Sequence, residues 1–183
     1  MFTPLLALLL GLSIASTSLA ENTRLLITTN KGQFKIELYD QQAPATVKNF
    51  LGYVDSGFYT GTIFHRLIPG FMIQGGGFTK ELAQKETKAA IKNEAKAELK
   101  NLRGTLAMAR RSSPDSATSQ FFINYVDNPH LDYRDYNVGY AVFGKVENMS
   151  VIDAWENLPT GTISIYNNVP KDAIEILSIE YIK

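Results

Sequence analysis

The sequence is divided into short segments rich in β-branched and aromatic residues, and these segments are separated by turn residues. Residues 33–39 (QFKIELY) alternate polar and apolar side chains, and Asn30-Lys31-Gly32 separates them from an earlier segment, RLLITT. This pattern predicts a hairpin with one buried and one solvated face. Further predicted strands are residues 104–109 (GTLAMA), 120–125 (QFFINY), 139–146 (GYAVFGKV) and Ile174–Ile182 (IEILSIEYI).

Only two segments have the apolar spacing of an amphipathic helix. In residues 43–54 the apolar stripe runs from Val47 through Phe50 to Val54, and Pro44 suits the first turn. Residues 150–158 (SVIDAWENL) carry a second stripe centred on Trp155. Many short strands with two helices favour an antiparallel barrel or sandwich over a parallel α/β sheet, and the length suits one domain.

Two stretches depart from these patterns. Residues 80–100 are rich in Lys, Glu and Ala, but their apolar positions are widely spaced, so we predict a solvated excursion with at most short turns. Gly75-Gly76-Gly77 predicts close backbone approach or an unusual φ angle and not the interior of a strand.

The first twenty residues contain no charged side chain and end in Ser18-Leu19-Ala20, which suits a signal peptidase. We therefore expect residues 1–20 to be a cleaved signal peptide, residues 21–183 to form one mature domain, and the protein to be periplasmic or secreted. The alternative is an uncleaved membrane anchor. Eighteen basic and eighteen acidic side chains cancel, so charge does not favour nucleic acid or an anionic membrane as a partner. The absence of cysteine means that an exported chain would fold without disulfides.

A candidate cleft is formed by residues 64–77 (FHRLIPGFMIQGGG) and residues 119–124 (SQFFIN). Side chains alternate between the faces of a strand, so Met72 should share a face with Gln74, and Gln120 with Phe122. The expected cleft has an apolar floor, two amides and one cation.

The cation is Arg66, which should point away from its buried, hydrogen-bonded neighbour His65. The two histidines, His65 and His130, have no metal-ligand spacing, and neither a nucleophile elbow nor a phosphate loop is present. These residues suit a reaction that forms no stable covalent bond.

The motifs FHRLIPGFMIQGGGFT, GTLAMAR, SQFFIN and VFGKV resemble, in that order and spacing, the cyclophilin family of peptidyl-prolyl cis/trans isomerases. The resemblance extends from about Arg24 to the C-terminus. It implies a mainly β fold, a closed eight-stranded antiparallel β-barrel capped by two α-helices. The KNEA sequence at residues 92–95 and the predicted signal resemble the bacterial exported, periplasmic branch.

The resemblance also implies a role for individual side chains. Arg66 is expected to be the catalytic cation, and the proline pocket is expected to consist of Phe71, Met72, Phe122 and Leu131. The substrate chain is expected to contact Gln74 and Gln120. Ala109 is expected to line the adjoining groove, and Arg110 is expected to pair with the peptide through its backbone. Within this set we assign catalysis to Arg66, Gln74 and Phe71.

Three positions depart from the pattern of many eukaryotic members. His130 replaces a tryptophan on the pocket rim, Tyr140 replaces a histidine that closes the pocket, and Arg110 replaces an asparagine. The missing tryptophan predicts weak cyclosporin binding. Arg110 and Arg111 leave three interpretations open: they narrow the second pocket, they favour acidic residues near the proline, or they belong to a solvated loop.

We expect an isomerase that accelerates rotation of X–Pro bonds and assists the folding of exported proteins. Its partners would be proline-containing peptides and unfolded exported proteins, and we expect a monomer that needs no cofactor or metal. The alternatives are a proline-peptide binding module or holdase with little turnover and, more remotely, a structural subunit of an envelope assembly.

Overall fold

The computed structural model describes residues 21–183, and eight strands of this part of the chain close into an antiparallel barrel. Around the barrel the order is β1–β10–β3–β4–β6–β5–β7–β2. The barrel strands are β1 (Arg24–Thr29), β2 (Gly32–Leu38), β3 (Thr62–Ile68), β4 (Met72–Thr79), β5 (Thr105–Met108), β6 (Phe121–Asn124), β7 (Val142–Val146) and β10 (Ile174–Ile182). The predicted eight-stranded barrel with two helices is confirmed, and the signal-peptide prediction falls outside the described residues.

Helix α1 (Pro44–Asp55) and helix α2 (Ser150–Trp155) match the two predicted stripes. In α1 the stripe buries Val47 and Phe50. Helix α2 is shorter than predicted, because the last N–H groups bond three residues back instead of four: Glu156 donates to the Asp153 carbonyl and Leu158 to the Trp155 carbonyl. No helix within residues 21–183 has the length and apolar character to cross a bilayer.

The interior of the barrel is filled by aromatic side chains. Phe121 meets Phe50 and Phe64 edge-on, with ring centroids 5.5 and 5.8 Å apart. Phe143 and Trp155 are also buried in this core. Edge-to-face pairs add about 0.5–1.5 kcal/mol each to the burial of apolar area, so this cluster fixes the strands that carry the cleft.

Residues 80–100 form no helix and no named strand, as predicted. Two isolated bridges attach the excursion: Gln84 pairs with Phe78 of β4, and Ile91 pairs with Ala117 of the loop between β5 and β6. Lys88 holds it to α1 by donating from Nζ to the Gly52 carbonyl at 2.6 Å. The excursion is therefore an ordered strap.

The three glycines do lie inside a strand, β4, so that part of their prediction is wrong. The other part is confirmed, because Gly76 has a φ of +80° and a Cβ atom on Gly77 would approach Gln120 Cδ to 2.7 Å. Strand β4 still pairs with β3 here, because the register between the two strands shifts at the glycines.

A second sheet of two strands, β8 (Thr160–Ile163) and β9 (Tyr166–Pro170), was not predicted. Its strands are only four and five residues long, and Asn167-Asn168 and Pro170 interrupt the second, so the strand signal is weak. The hairpin packs on the barrel, where Tyr166 meets Phe78 with ring centroids 5.1 Å apart.

Candidate active site

The register of the sheet places three functional side chains in one row. Arg66 on β3 pairs with Gln74 on β4, and Gln74 pairs with Phe122 on β6. Residues directly opposite each other in a sheet share a face. Cation, amide and aromatic ring therefore lie side by side on the outer face of the barrel.

A β-bulge at His65 directs Arg66 onto this face. The register moves from Phe64–Gly75 to Arg66–Gln74 without a partner for His65. Phe64 lies in the interior core, and regular alternation would place Arg66 there too. Bulges re-aim side chains in this way and are frequent beside active sites. As expected, the side chains of His65 and Arg66 lie in different environments.

The floor of the cleft is a second apolar cluster on the outside of β4, β5, β6 and β7. Met72, Ala107, Phe122 and Val142 are each at most 4 % exposed. Above them lies a cavity of about 130 Å³. That volume is below the ~300 Å³ at which small-molecule and cofactor sites begin, so the cavity suits one apolar side chain. Its lining residues are Arg66, Phe71, Met72, Gln74, Ala109, Arg110, Phe122, Leu131 and Tyr140.

The guanidinium of Arg66 is available to a ligand. It takes part in none of the ion pairs formed by residues 21–183, and the side chain is partly exposed. Gln74 is held beside it by a hydrogen bond from its Nε2 to Gln120 Oε1 at 2.9 Å.

The sequence also matches a model of the family described as cyclophilin type peptidyl-prolyl cis-trans isomerase/CLD, over residues 24–181. The chain belongs to the cyclophilin family. It is 54 % identical over 171 residues to a peptidyl-prolyl cis-trans isomerase of Acinetobacter baylyi, covering 93 % of this chain and 90 % of that one. It is 52 % identical over 155 residues to peptidyl-prolyl cis-trans isomerase B of Escherichia coli, covering 82 % and 94 %. With these relatives over most of its length, the chain is a peptidyl-prolyl cis-trans isomerase.

Solved structures agree with this membership. A cyclophilin type isomerase of Cryptosporidium parvum superposes with a TM-score of 0.74 at 34 % identity, covering 88 % of this chain and 98 % of that one. A second structure of that protein, obtained in the presence of the dipeptide Ala-Pro, gives a TM-score of 0.73 at 35 % identity, with coverage of 87 % and 99 %.

Two of the predicted site residues of this cyclophilin lie beside the cavity and do not line it. Gln120 lines an adjoining groove together with Arg111, Asp115 and Thr118. His130 is exposed and stacks on Phe71, with ring centroids 5.5 Å apart and planes inclined by 27°.

The side chain of Arg110 is not free in solvent. Its Nε and Nη2 both donate to the Gly139 carbonyl at 3.1 Å, and its guanidinium carbon lies 4.4 Å from the ring centroid of Tyr140. Arg110 and Arg111 do lie in a loop, but the Arg110 side chain is partly buried and bonded. Sequence reasoning missed the partner of this arginine, Gly139, since nothing in the local pattern signals a contact across loops.

His65 is buried as predicted, but its Nδ1 has no hydrogen-bond partner among residues 21–183. Its ring lies 4.6 Å from that of Phe78. Burial, followed by repulsion from Arg66, lowers the pKa of His65 to about 4. The imidazole is therefore neutral near pH 7. No group of three or more His, Cys, Asp or Glu side chains in the described part of the chain is arranged to hold a metal ion.

Proposed function

We propose that this cleft isomerises X–Pro bonds with Arg66 as the catalytic donor and the apolar cavity as the proline pocket. One observation carries this proposal: an arginine that forms no ion pair within residues 21–183 lies beside a cavity sized for one apolar side chain. The prolyl ring would rest on Met72 and Phe122 between the walls formed by Phe71, Leu131 and Tyr140.

The chemistry explains why a single donor is sufficient. Resonance gives the peptide C–N bond a rotation barrier of ~18–20 kcal/mol. In the twisted transition state the conjugation is lost and the lone pair localises on the prolyl nitrogen. A donor directed at that nitrogen stabilises the twisted form more than the planar form, which is the condition for catalysis. Arginine suits this task because it stays protonated and its planar fork can be oriented.

The amides hold the chain that flanks the proline. Gln74 and Gln120 are bonded to each other; Gln74 lines both the cavity and the adjoining groove, and Gln120 lines the groove. The amides hold the peptide chain on one side of the X–Pro bond while the pocket binds the prolyl ring. The chain on the other side of the bond is then free to rotate.

The test of these roles is the kinetics of Arg66→Lys beside the wild type. Lysine keeps the charge but loses the fork, so we expect kcat/KM for an X–Pro peptide to fall by a factor of ~10² or more, by analogy with the loss of one preorganised donor. The loss should appear in kcat. Unchanged kcat in a folded Arg66→Lys protein would reject Arg66 as the donor.

We further propose that the protein is exported and acts on exported clients. The uncharged first twenty residues, with their Ser-Leu-Ala ending, support this proposal. Uncatalysed X–Pro exchange takes tens to hundreds of seconds, so it limits the folding of proline-containing proteins in any compartment. The test is cell fractionation followed by mass determination. A periplasmic or secreted species that begins at Glu21 is expected, and a full-length cytoplasmic species would reject the proposal.

A further inference from the structure

The carbonyl oxygen of Gly139 is a point where three loops meet. It accepts from both Nε and Nη2 of Arg110 at 3.1 Å and from Nδ2 of Asn93 at 3.3 Å. Asn93 belongs to the strap and also donates to the Val138 carbonyl at 2.9 Å. These bonds fix the backbone immediately before Tyr140.

Gly139 itself is held in a conformation that other residues avoid. Its φ is +60°, and a Cβ atom there would lie 2.7 Å from Tyr133 Cα. The direction of its carbonyl is therefore set by the surrounding backbone. Tyr140 follows directly, and its own N–H donates to the Leu131 carbonyl at 2.9 Å.

The Tyr140 ring contacts both Arg110 and the floor of the proline pocket. The Arg110 guanidinium carbon is 4.4 Å from its centroid. The ring also meets Phe122 edge-on at 5.7 Å, and both rings line the cavity, as Arg110 does. A cation held against an aromatic face contributes about 0.5–2 kcal/mol. Tyr140 has no other charged neighbour of this kind among the described aromatic contacts.

Arg110 has little capacity left for a substrate carboxylate. Its Nε and Nη2 each donate to Gly139, and Nη1 donates to the Arg111 carbonyl at 3.0 Å and to the Ser112 carbonyl at 3.5 Å, so four of its five N–H donors are engaged. Arginine has five N–H donors in a rigid fork, so engaging all three nitrogens fixes the whole group.

We propose that Arg110 is a positioning residue that holds Tyr140 in the wall of the proline pocket and does not steer substrates by its charge. The inference rests on the proposed function of the cleft. Tyr140 grips the prolyl ring equally in the planar and twisted states. Loss of such uniform binding raises KM and leaves kcat unchanged.

The first test compares Arg110→Lys with Arg110→Gln on two peptides that differ only in carrying Glu or Lys near the proline. Positioning needs the planar fork, so both variants should raise KM about 3- to 10-fold on both peptides, with kcat within about 2-fold of wild type. Arg111→Gln, which removes an equal charge from the same loop, is the charge-matched control. Wild-type KM in Arg110→Lys, or a loss confined to the Glu peptide and shared by Arg111→Gln, would overturn the proposal.

The second test is a double-mutant cycle with Tyr140→Ala. If Arg110 acts through Tyr140, adding Arg110→Gln to Tyr140→Ala should raise KM by less than about 2-fold further. Additive losses would refute a role through Tyr140.

A spectroscopic readout separates this inference from the proposed function. In Arg110→Gln the NMR resonances of the Tyr140 ring should shift, and the affinity for a proline peptide should fall. The midpoint of denaturant unfolding serves as the control that the variant is folded. Unchanged Tyr140 resonances would refute the inference even if the wild type is active. A wild type that binds the peptide without accelerating exchange would reject the proposed function, and the Tyr140 resonances would still decide the role of Arg110.

Discussion

The side chains of the cleft differ in how firmly they are held. Met72 and Phe122 are almost fully buried in the floor, whereas Arg66 is partly exposed and free of ion pairs in the described chain. The surface that grips the prolyl ring is therefore preorganised by packing. The donor is positioned by its strand and can adjust its fork to the prolyl nitrogen.

His65 predicts a pH dependence of stability. The unfolded chain binds a proton near pH 6.5, but the folded chain does so only near the lowered pKa of about 4. The contribution of neutral His65 to the free energy of unfolding is fully present above pH 6.5. It is lost as the pH falls towards 4, which lowers the free energy of unfolding by roughly 3 kcal/mol in total. Urea unfolding between pH 6.5 and 4.5 should therefore show a slope that His65→Gln reduces.

The control for that measurement is His130→Gln, which removes the exposed histidine. The range stops at pH 4.5 because Glu37 and Glu147, whose pKa values are lowered by hydrogen bonds, contribute in the same direction below it. Equal slopes for the wild type and His65→Gln would contradict the assignment.

A side chain at Gly77 is expected to weaken substrate binding without straining the backbone. A Cβ atom at this position would collide with the Gln120 side chain, so Gly77→Ala should break the bond between Gln120 and Gln74. A hydrogen bond is worth about 1 kcal/mol, so we expect kcat/KM to fall about 5-fold. Gln120→Ala should show a similar loss, and combining the two changes should add little. A further 5-fold loss in the double variant would show that Gly77 acts elsewhere.

At this scale the sequence predicted which side chains meet, but not how they are supported. The alternation of side chains predicts that Met72 shares a face with Gln74 and Gln120 with Phe122, whereas the register that pairs Gln74 with Phe122 comes from the fold. The bulge at His65 is set by pairing with β4, and the bonds of Arg110 to Gly139 join segments 29 residues apart. Neither leaves a local pattern.

At the scale of elements, the strap caps the N-terminus of helix α1. The helix has no side-chain cap at Ala43 and no acidic residue in its first turn. Glu94 of the strap accepts from Ala45 N–H at 3.1 Å and from the N–H and hydroxyl of Thr46 at 2.6 and 2.7 Å. A carboxylate at this end satisfies unpaired donors and opposes the helix dipole.

Glu94→Ala should therefore destabilise the protein by about 1–2 kcal/mol, because it removes both the cap and the favourable charge. Denaturant unfolding at pH 7 measures this directly. Glu98→Ala is the matched control, since Glu98 is an exposed glutamate of the same strap. Equal effects of the two substitutions would show that Glu94 is not a cap.

Predictability of the elements follows the strength of their periodicity. Strand β10 was predicted with its observed bounds because IEILSIEYI alternates in its first half, where Ile174 and Ile176 are buried, and remains rich in isoleucine to its end. The β8–β9 hairpin was missed because its stability comes from contacts such as Tyr166 on Phe78. The cap of α1 could not be read from sequence, since Glu94 and Thr46 are 48 residues apart.

At the scale of the whole molecule, the same strands carry the core and the site. Inward side chains such as Phe121 fill the barrel, and the outward Phe122 next to it forms the floor of the cleft. Because the barrel is closed, these strands have no free edge along which to shift. A site built on rigid elements keeps its donor and pocket in fixed relation.

The most direct measurement is exchange spectroscopy of a short X–Pro peptide with residues 21–183 and with the Arg66→Ala variant. The method gives the isomerisation rate and the peptide affinity in one sample. The wild type should accelerate exchange, and the variant should lose at least ~10² of that rate while it still binds the peptide, because the pocket residues remain. A variant that keeps the wild-type rate at equal affinity would contradict the assignment of catalysis to Arg66.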